Sequence, residues 1–112
     1  MIAALVLAGA ALAASYAPST PVANESISGI ASWYDWHLGE AAAGPGLRRF
    51  LGKHWRGTVV RVCSSRCITV RISDWCQCFR GTLDERLIDL DRRSFAVLAD
   101  PRLGLVTVQV RG

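Results

Sequence analysis

Two stretches of the chain alternate apolar and polar residues with the period of a half-buried strand. Over Thr58 to Cys63, Val60 and Val62 fall on one face, and Val59, Arg61 and Cys63 on the other. Over Cys67 to Ser73, Ile68, Val70 and Ile72 share one face; Cys67, Thr69, Arg71 and Ser73 share the other. Ser64, Ser65 and Arg66 between them form a hairpin-length connection. The pairing sets Cys63 and Cys67 nearly opposite each other on the outer face. Facing Cβ atoms of an antiparallel pair lie about 4.5–5.5 Å apart, close to disulfide reach.

The same reading extends to the rest. Gly29 to Asp35 alternates Ile30, Ser32 and Tyr34 against Ala31, Trp33 and Asp35, which predicts a first strand. Gly39, Gly44, Pro45 and Gly46 mark residues 36–46 as loop. Leu47, Phe50 and Leu51 recur at helical spacing, so a short helix is expected over 47–52, stopped by Gly52. Leu87 to Leu90 reads as a short apolar strand. Asp91 follows as a helix N-cap, with Ser94, Phe95 and Leu98 on the next turns and Pro101 and Gly104 ending the helix. Leu105 to Val110 alternates again as a last strand. Many short strands with few helices argue for a mainly β domain, a small barrel.

The N-terminus breaks this pattern. Residues 2–14 form an unbroken apolar and small run, and no charged side chain appears before Glu25. A bilayer-spanning helix needs roughly 20 apolar residues, so the run is short. With Ser15-Tyr16-Ala17 as a cleavage pattern, 1–17 reads as a signal peptide or an N-terminal anchor. No Lys or Arg precedes the run. Residues 18–28, rich in Ser, Pro and Ala, read as a linker, and the folded domain is expected over 29–112. Any membrane contact would run through the N-terminal segment alone. The protein is expected to be secreted, periplasmic or held at the cell envelope, and monomeric.

Such a domain has a modest core, and small domains often rely on disulfides. Cys63, Cys67, Cys76 and Cys78 fall close together, and with export they suggest two disulfides. Cys76 and Cys78 on a strand would sit side by side and too far apart to bond; a loop could join them. Sequence alone leaves all three pairings open. A four-thiolate zinc site is the alternative, but Cys76-x-Cys78 is shorter than the usual knuckle. Neither metal nor cofactor is expected. The formal net charge of +4 favours anionic partners. No nucleic-acid motif accompanies it, so a wall polymer is the expected partner.

The segments Gly29–Tyr34 (GIASWY), Gly57–Val62 (GTVVRV), Ile68–Asp74 (ITVRISD), Leu87–Asp91 with Ser94–Leu98, and Gly104–Val110 carry a further pattern. In this order the chain resembles the double-psi β-barrel domain of rare-lipoprotein-A-like proteins, with expansins and barwin-like proteins as more distant relatives. The resemblance implies a six-stranded double-psi β-barrel with one or two short helices. It also implies an open groove for a polysaccharide strand. In bacterial members the substrate is peptidoglycan, which some cleave as lytic transglycosylases; expansin-like members bind or loosen wall glycan without hydrolysing it.

Asp74 matches the family's acidic residue at the groove. A carboxylic acid of raised pKa can protonate a glycosidic oxygen and later act as base, so one acid can suffice. Asp89 matches the aspartate of the family's Ile-Asp-Leu stretch and is expected near Asp74. Asp35, by likeness to cellulases with this barrel, is a candidate second carboxylate. Trp33, Tyr34, Trp36 and Trp75 are dense aromatics beside these acids, suited to stacking on sugar faces. Trp36 and Trp75 are expected to line the groove.

Two departures count against catalysis. Catalytic relatives carry a Glu in an Asn-Gly-Glu stretch and a His after Thr-Ala-Ala. Here Leu38 to Gly44 stands in that place, with Gly44 at the His position. Glu40 replaces the Glu only under a shifted alignment, and His37 and His54 lie outside the motif. A lytic transglycosylase-like enzyme and a non-catalytic, expansin-like binding module both remain open, with a barwin-like inhibitor as a weaker third reading.

Overall fold

A computed structural model describes residues 25–112. The expected signal or anchor, 1–17, and most of the expected linker lie outside the described residues. Six strands close into a barrel: β1 (Ser26–Tyr34), β2 (Glu40–Ala43), β3 (Val59–Cys63), β4 (Cys67–Trp75), β5 (Arg86–Asp91) and β6 (Val106–Arg111). Helix α1 (Pro45–Leu51) lies between β2 and β3, and α2 (Arg92–Leu98) follows β5, with a 3₁₀ turn at Pro101–Leu103. Among the described residues no helix is long and apolar enough to cross a membrane.

Around the barrel the strands run β1-β5-β2-β4-β3-β6. β1 pairs parallel with β5, and β2 parallel with β4; all other neighbours are antiparallel. The chain therefore repeats β-β-α-β twice. β1, β2, α1 and β3 correspond to β4, β5, α2 and β6 about a pseudo-twofold axis that passes between β2 and β5.

The β3–β4 hairpin takes the register its alternation predicts. Val60 faces Val70, Val62 faces Ile68, and Cys63 faces Cys67. Val60, Val62, Val70 and Ile72 are buried with Leu47, Ile88, Leu90, Phe95, Val108 and Val110 in one core. β1 starts at Ser26, three residues before the expected domain boundary, because Ser26, Ile27 and Ser28 pair with Arg111, Val110 and Gln109 of β6.

β2 stands where a loop was expected. Its Glu-Ala-Ala-Ala sequence has low β propensity and no polar alternation. Tertiary context decides it: β2 is hydrogen-bonded on both sides, to β4 and β5, and its three alanines are buried. α1 starts two residues earlier than expected, with Gly44 as N-cap and Pro45 at its first position.

Two disulfides join Cys63 to Cys67 and Cys76 to Cys78, with Cα separations of 4.1 and 5.0 Å. All four sulfurs are thus committed to covalent pairs. Cys76 and Cys78 lie just beyond β4, where the chain has left the strand and Cys78 and Phe79 take positive φ.

Candidate functional site

Sheet register builds the site. Ser32 of β1 faces Asp89 of β5, Asp89 faces Ala42 of β2, and Ala42 faces Asp74 of β4. The four residues form one row across four strands, on the pseudo-twofold axis. Residues paired in register share a face of the sheet. Ala31, Ala41 and Ala43 belong to the core, so Ser32 and Ala42 turn to the outer face. Ala42 is only 1% exposed and forms the floor between the two carboxylates.

The carboxylates sit in unlike settings. Asp89 is half-buried and accepts a hydrogen bond from the Ser32 hydroxyl at 3.1 Å. Burial, the largest influence, raises its pKa; the Ser32 bond and Arg86 oppose that, and the charge of Asp74 adds to it. Asp74 accepts from the Tyr34 hydroxyl at 3.1 Å. Burial first, then Asp74, hold that phenol well above its ordinary ionisation range, with smaller contributions from Asp89 and Glu40. Tyr34 therefore feels the charges of Asp74, Asp89 and Glu40, and Asp89 that of Asp74.

Aromatic rings wall the Asp74 side. Tyr34 and Trp36 stack with centroids 5.3 Å apart and planes 13° apart, and His37 continues the series at 4.7 Å from Trp36. The Trp36 indole N–H donates to Ser73 Oγ at 3.1 Å, which fixes the ring beside β4. On the Asp89 side an open cleft of about 500 Å³ is lined by Ser32, Asp89, Arg86, Phe79 and the Cys76–Cys78 loop. Phe79 is 60% exposed, with the Arg86 guanidinium 4.6 Å from its ring centre.

Beneath the row, Asp91 ties two elements together. It is 2% exposed. Its carboxylate accepts from the Ser94 amide at 2.9 Å and the Ser94 hydroxyl at 2.6 Å, capping α2 as expected. It also accepts from the Gly39 amide at 2.9 Å, which anchors the turn leading into β2.

Three sequence candidates fall elsewhere. Trp33 packs against the core, and its indole N–H donates to the Pro101 carbonyl at 2.8 Å. Trp75 follows Asp74 on β4 and faces away from it; half exposed, it lies against the Arg48 guanidinium 5.5 Å from its ring centre. Asp35 is exposed and, with Trp36, Leu38, Arg92 and Arg93, lines a cleft whose lining includes neither Asp74 nor Asp89. Ser32, Ala42, Phe79 and Arg86 enter the site without having been singled out in the sequence. Ser32 was within reach, because it shares the alternating face of Tyr34.

The family profile described as lytic transglycolase matches residues 26–110. The chain belongs to this double-psi β-barrel family. No curated protein matches it. Among solved structures, this double-psi β-barrel is similar to the Streptomyces papain inhibitor, with a TM-score of 0.60 at 20% identity over 81% of this chain and 96% of that one. It is similar to a mutant Clavibacter michiganensis expansin in complex with cellohexaose, with a TM-score of 0.58 at 17% identity over 77% of this chain. The match spans 49% of that expansin, about half its length. A computationally designed protein, msDPBB_sym2, has a TM-score of 0.50 at 13% identity, over 78% of this chain and 98% of that one. At these identities the likeness concerns the fold.

Gly44 stands where the resemblance leads us to expect a His. Gly44 is buried, its amide donates to the Leu87 carbonyl at 2.9 Å, and a Cβ added to it would run into the Arg86 carbonyl oxygen. No side chain fits at that position on this backbone.

Proposed function

We propose that this double-psi β-barrel takes a peptidoglycan strand across the Ser32–Asp89–Ala42–Asp74 row and cleaves it as a lytic transglycosylase, outside the cytoplasm. The observation that carries the reading is the pair of half-buried carboxyls flanking Ala42 in unlike surroundings. A carboxyl whose charged form is disfavoured by burial is suited to donate a proton. The sequence favours Asp74 as proton donor; the surroundings favour Asp89, whose pKa is raised mainly by burial.

In this reading Asp89 gives its proton to the glycosidic oxygen as the bond to the anomeric carbon breaks. Asp74, held by Tyr34, lies where its negative charge stabilises the developing positive charge on the sugar. The Asp89 carboxylate then takes the proton of the muramyl C6 hydroxyl as that oxygen bonds to the anomeric carbon. The product is a 1,6-anhydro sugar, no water is consumed, and Asp89 ends protonated. The Tyr34–Trp36 stack offers a flat apolar face to a neighbouring sugar. The two disulfides favour an oxidising compartment.

Binding without cleavage is the second reading, favoured by Gly44, which leaves the family's His without a counterpart. Incubation with purified sacculi separates the two. Release of anhydro-muropeptides by wild type and not by Asp89→Asn, read by mass spectrometry, supports the enzyme. Co-sedimentation with sacculi and no release from wild type replaces it with the binding module. A Trp36→Ala variant that sediments as well as wild type removes the aromatic wall from either reading.

A further inference from the structure

The loop after β4 has two sides. Cys76, Cys78 and Phe79 line the carboxylate groove, whereas Arg80 lines a second open cleft, of about 440 Å³, together with α1. That cleft is walled by Arg48, Arg49, Lys53, Arg80 and Trp55. Among the described residues the only ion pair joins Arg102 and Asp100, so none of these four cations has a carboxylate partner. Glu85, which with Arg49 flanks Gly46, has one carboxylate oxygen engaged by the Gly81 amide at 2.8 Å.

Arg48 is the built part of the cleft. Its Nη1 donates to the Ala43 carbonyl at 2.7 Å and the Cys76 carbonyl at 3.0 Å, pinning α1 to β2 and to the loop. Its guanidinium lies between the Trp55 and Trp75 rings, 5.9 and 5.5 Å from their centres. Burial first, then the like charges of Arg80 and Arg49, lower its pKa. Four cations line one concavity, and among the described residues no carboxylate lies within ion-pair distance of any of them. An oxyanion entering it relieves that repulsion, and guanidinium forks suit carboxylate and phosphate alike.

We propose that this cleft is an oxyanion subsite, separate from the carboxylate groove, that holds the carboxylates or phosphodiesters of an acidic cell-wall polymer. A strand crossing the Cys76–Arg80 loop would then meet Phe79 and Asp89 on one side and cations on the other. The subsite does not depend on glycan cleavage.

The test compares two charge-reversal pairs. Arg49→Glu with Arg80→Glu alters the cleft; Arg61→Glu with Arg111→Glu alters a different face, and all four positions are exposed. Both pairs change net charge equally. Binding of the full chain is measured by calorimetry to polygalacturonate, to poly(glycerol phosphate) and to uncharged cellohexaose. The cleft pair is expected to bind one or both polyanions roughly tenfold more weakly, the equivalent of one charge-assisted contact. The control pair should stay within about twofold, because scattered surface charges contribute little. The polymer that responds identifies carboxylate or phosphodiester as the source. Cellohexaose binding, whatever its strength, should be the same in wild type and cleft pair, which keeps this result apart from the groove reading. Equal weakening by both pairs, or none by either, overturns the subsite.

Discussion

Replacing Asp91 by alanine removes an acceptor that serves three donors on two elements. Two of the bonds, from the Ser94 amide and hydroxyl, cap α2; the third, from Gly39, holds the turn into β2. Loss of an N-cap costs about 1 kcal/mol, within a range of roughly 0.5–2. Stranding the Gly39 amide adds about 1–3 kcal/mol to the extent that water cannot reach it. The sum is about 3 kcal/mol, a large part of the roughly 5–15 kcal/mol that stabilises a domain. With a urea slope near the lower end of about 1–3 kcal/mol per molar, the unfolding midpoint should fall by roughly 2–3 M. Asp91→Ser keeps a capping oxygen and lacks the reach to Gly39, so it should recover about 1 kcal/mol. Circular dichroism across a urea series reads both variants. An Asp91→Ala midpoint within about 0.5 M of wild type would mean that the crossing of α2 and the β2 turn is held by packing alone.

Three other outcomes are expected. Gly44→Ala should lower stability by about 3 kcal/mol or prevent folding, since overpacking typically costs about 1–3 kcal/mol and the clash here is with backbone; thermal melting reads it. Because burial raises the pKa of Asp89 in the folded state, its contribution to stability is intact below the unfolded value and lost as pH rises through the folded one. Asp89→Asn should therefore gain stability over wild type at pH 7 and lose that advantage near pH 3, checked by denaturation at both. The Tyr34 phenol should stay protonated past its ordinary range, and Asp74→Asn should bring its titration down, as followed by NMR of the tyrosine ring carbon.

Local pattern made much of this fold legible. The β3–β4 alternation fixes the register that faces Cys63 with Cys67, and Asp91 before an apolar helical run marks an N-cap. β2 was not legible, because three alanines carry neither β-branched side chains nor alternation; only its two neighbours make it a strand. The acid pair was named, but its geometry depends on crossings that bring Ser32 to Asp89, 57 positions away. The tryptophans divide by face. Their density suggests a sugar platform, yet alternation puts Trp33 with Ala31 on the core face and Trp75 opposite Asp74. Asp35, one position beyond Tyr34, lines a different cleft from Asp89.

The two β-β-α-β halves are unequal in what they bring to their shared axis. Ser32 corresponds to Asp74 and Ala42 to Asp89, so the C-terminal half supplies both acids while the N-terminal half supplies a hydroxyl and a methyl. A barrel assembled from two copies of the C-terminal half would crowd four carboxylates around one point and resist closing at neutral pH. Keeping both acids on one half, across from a hydroxyl and a methyl, thus halves the charge gathered at the axis.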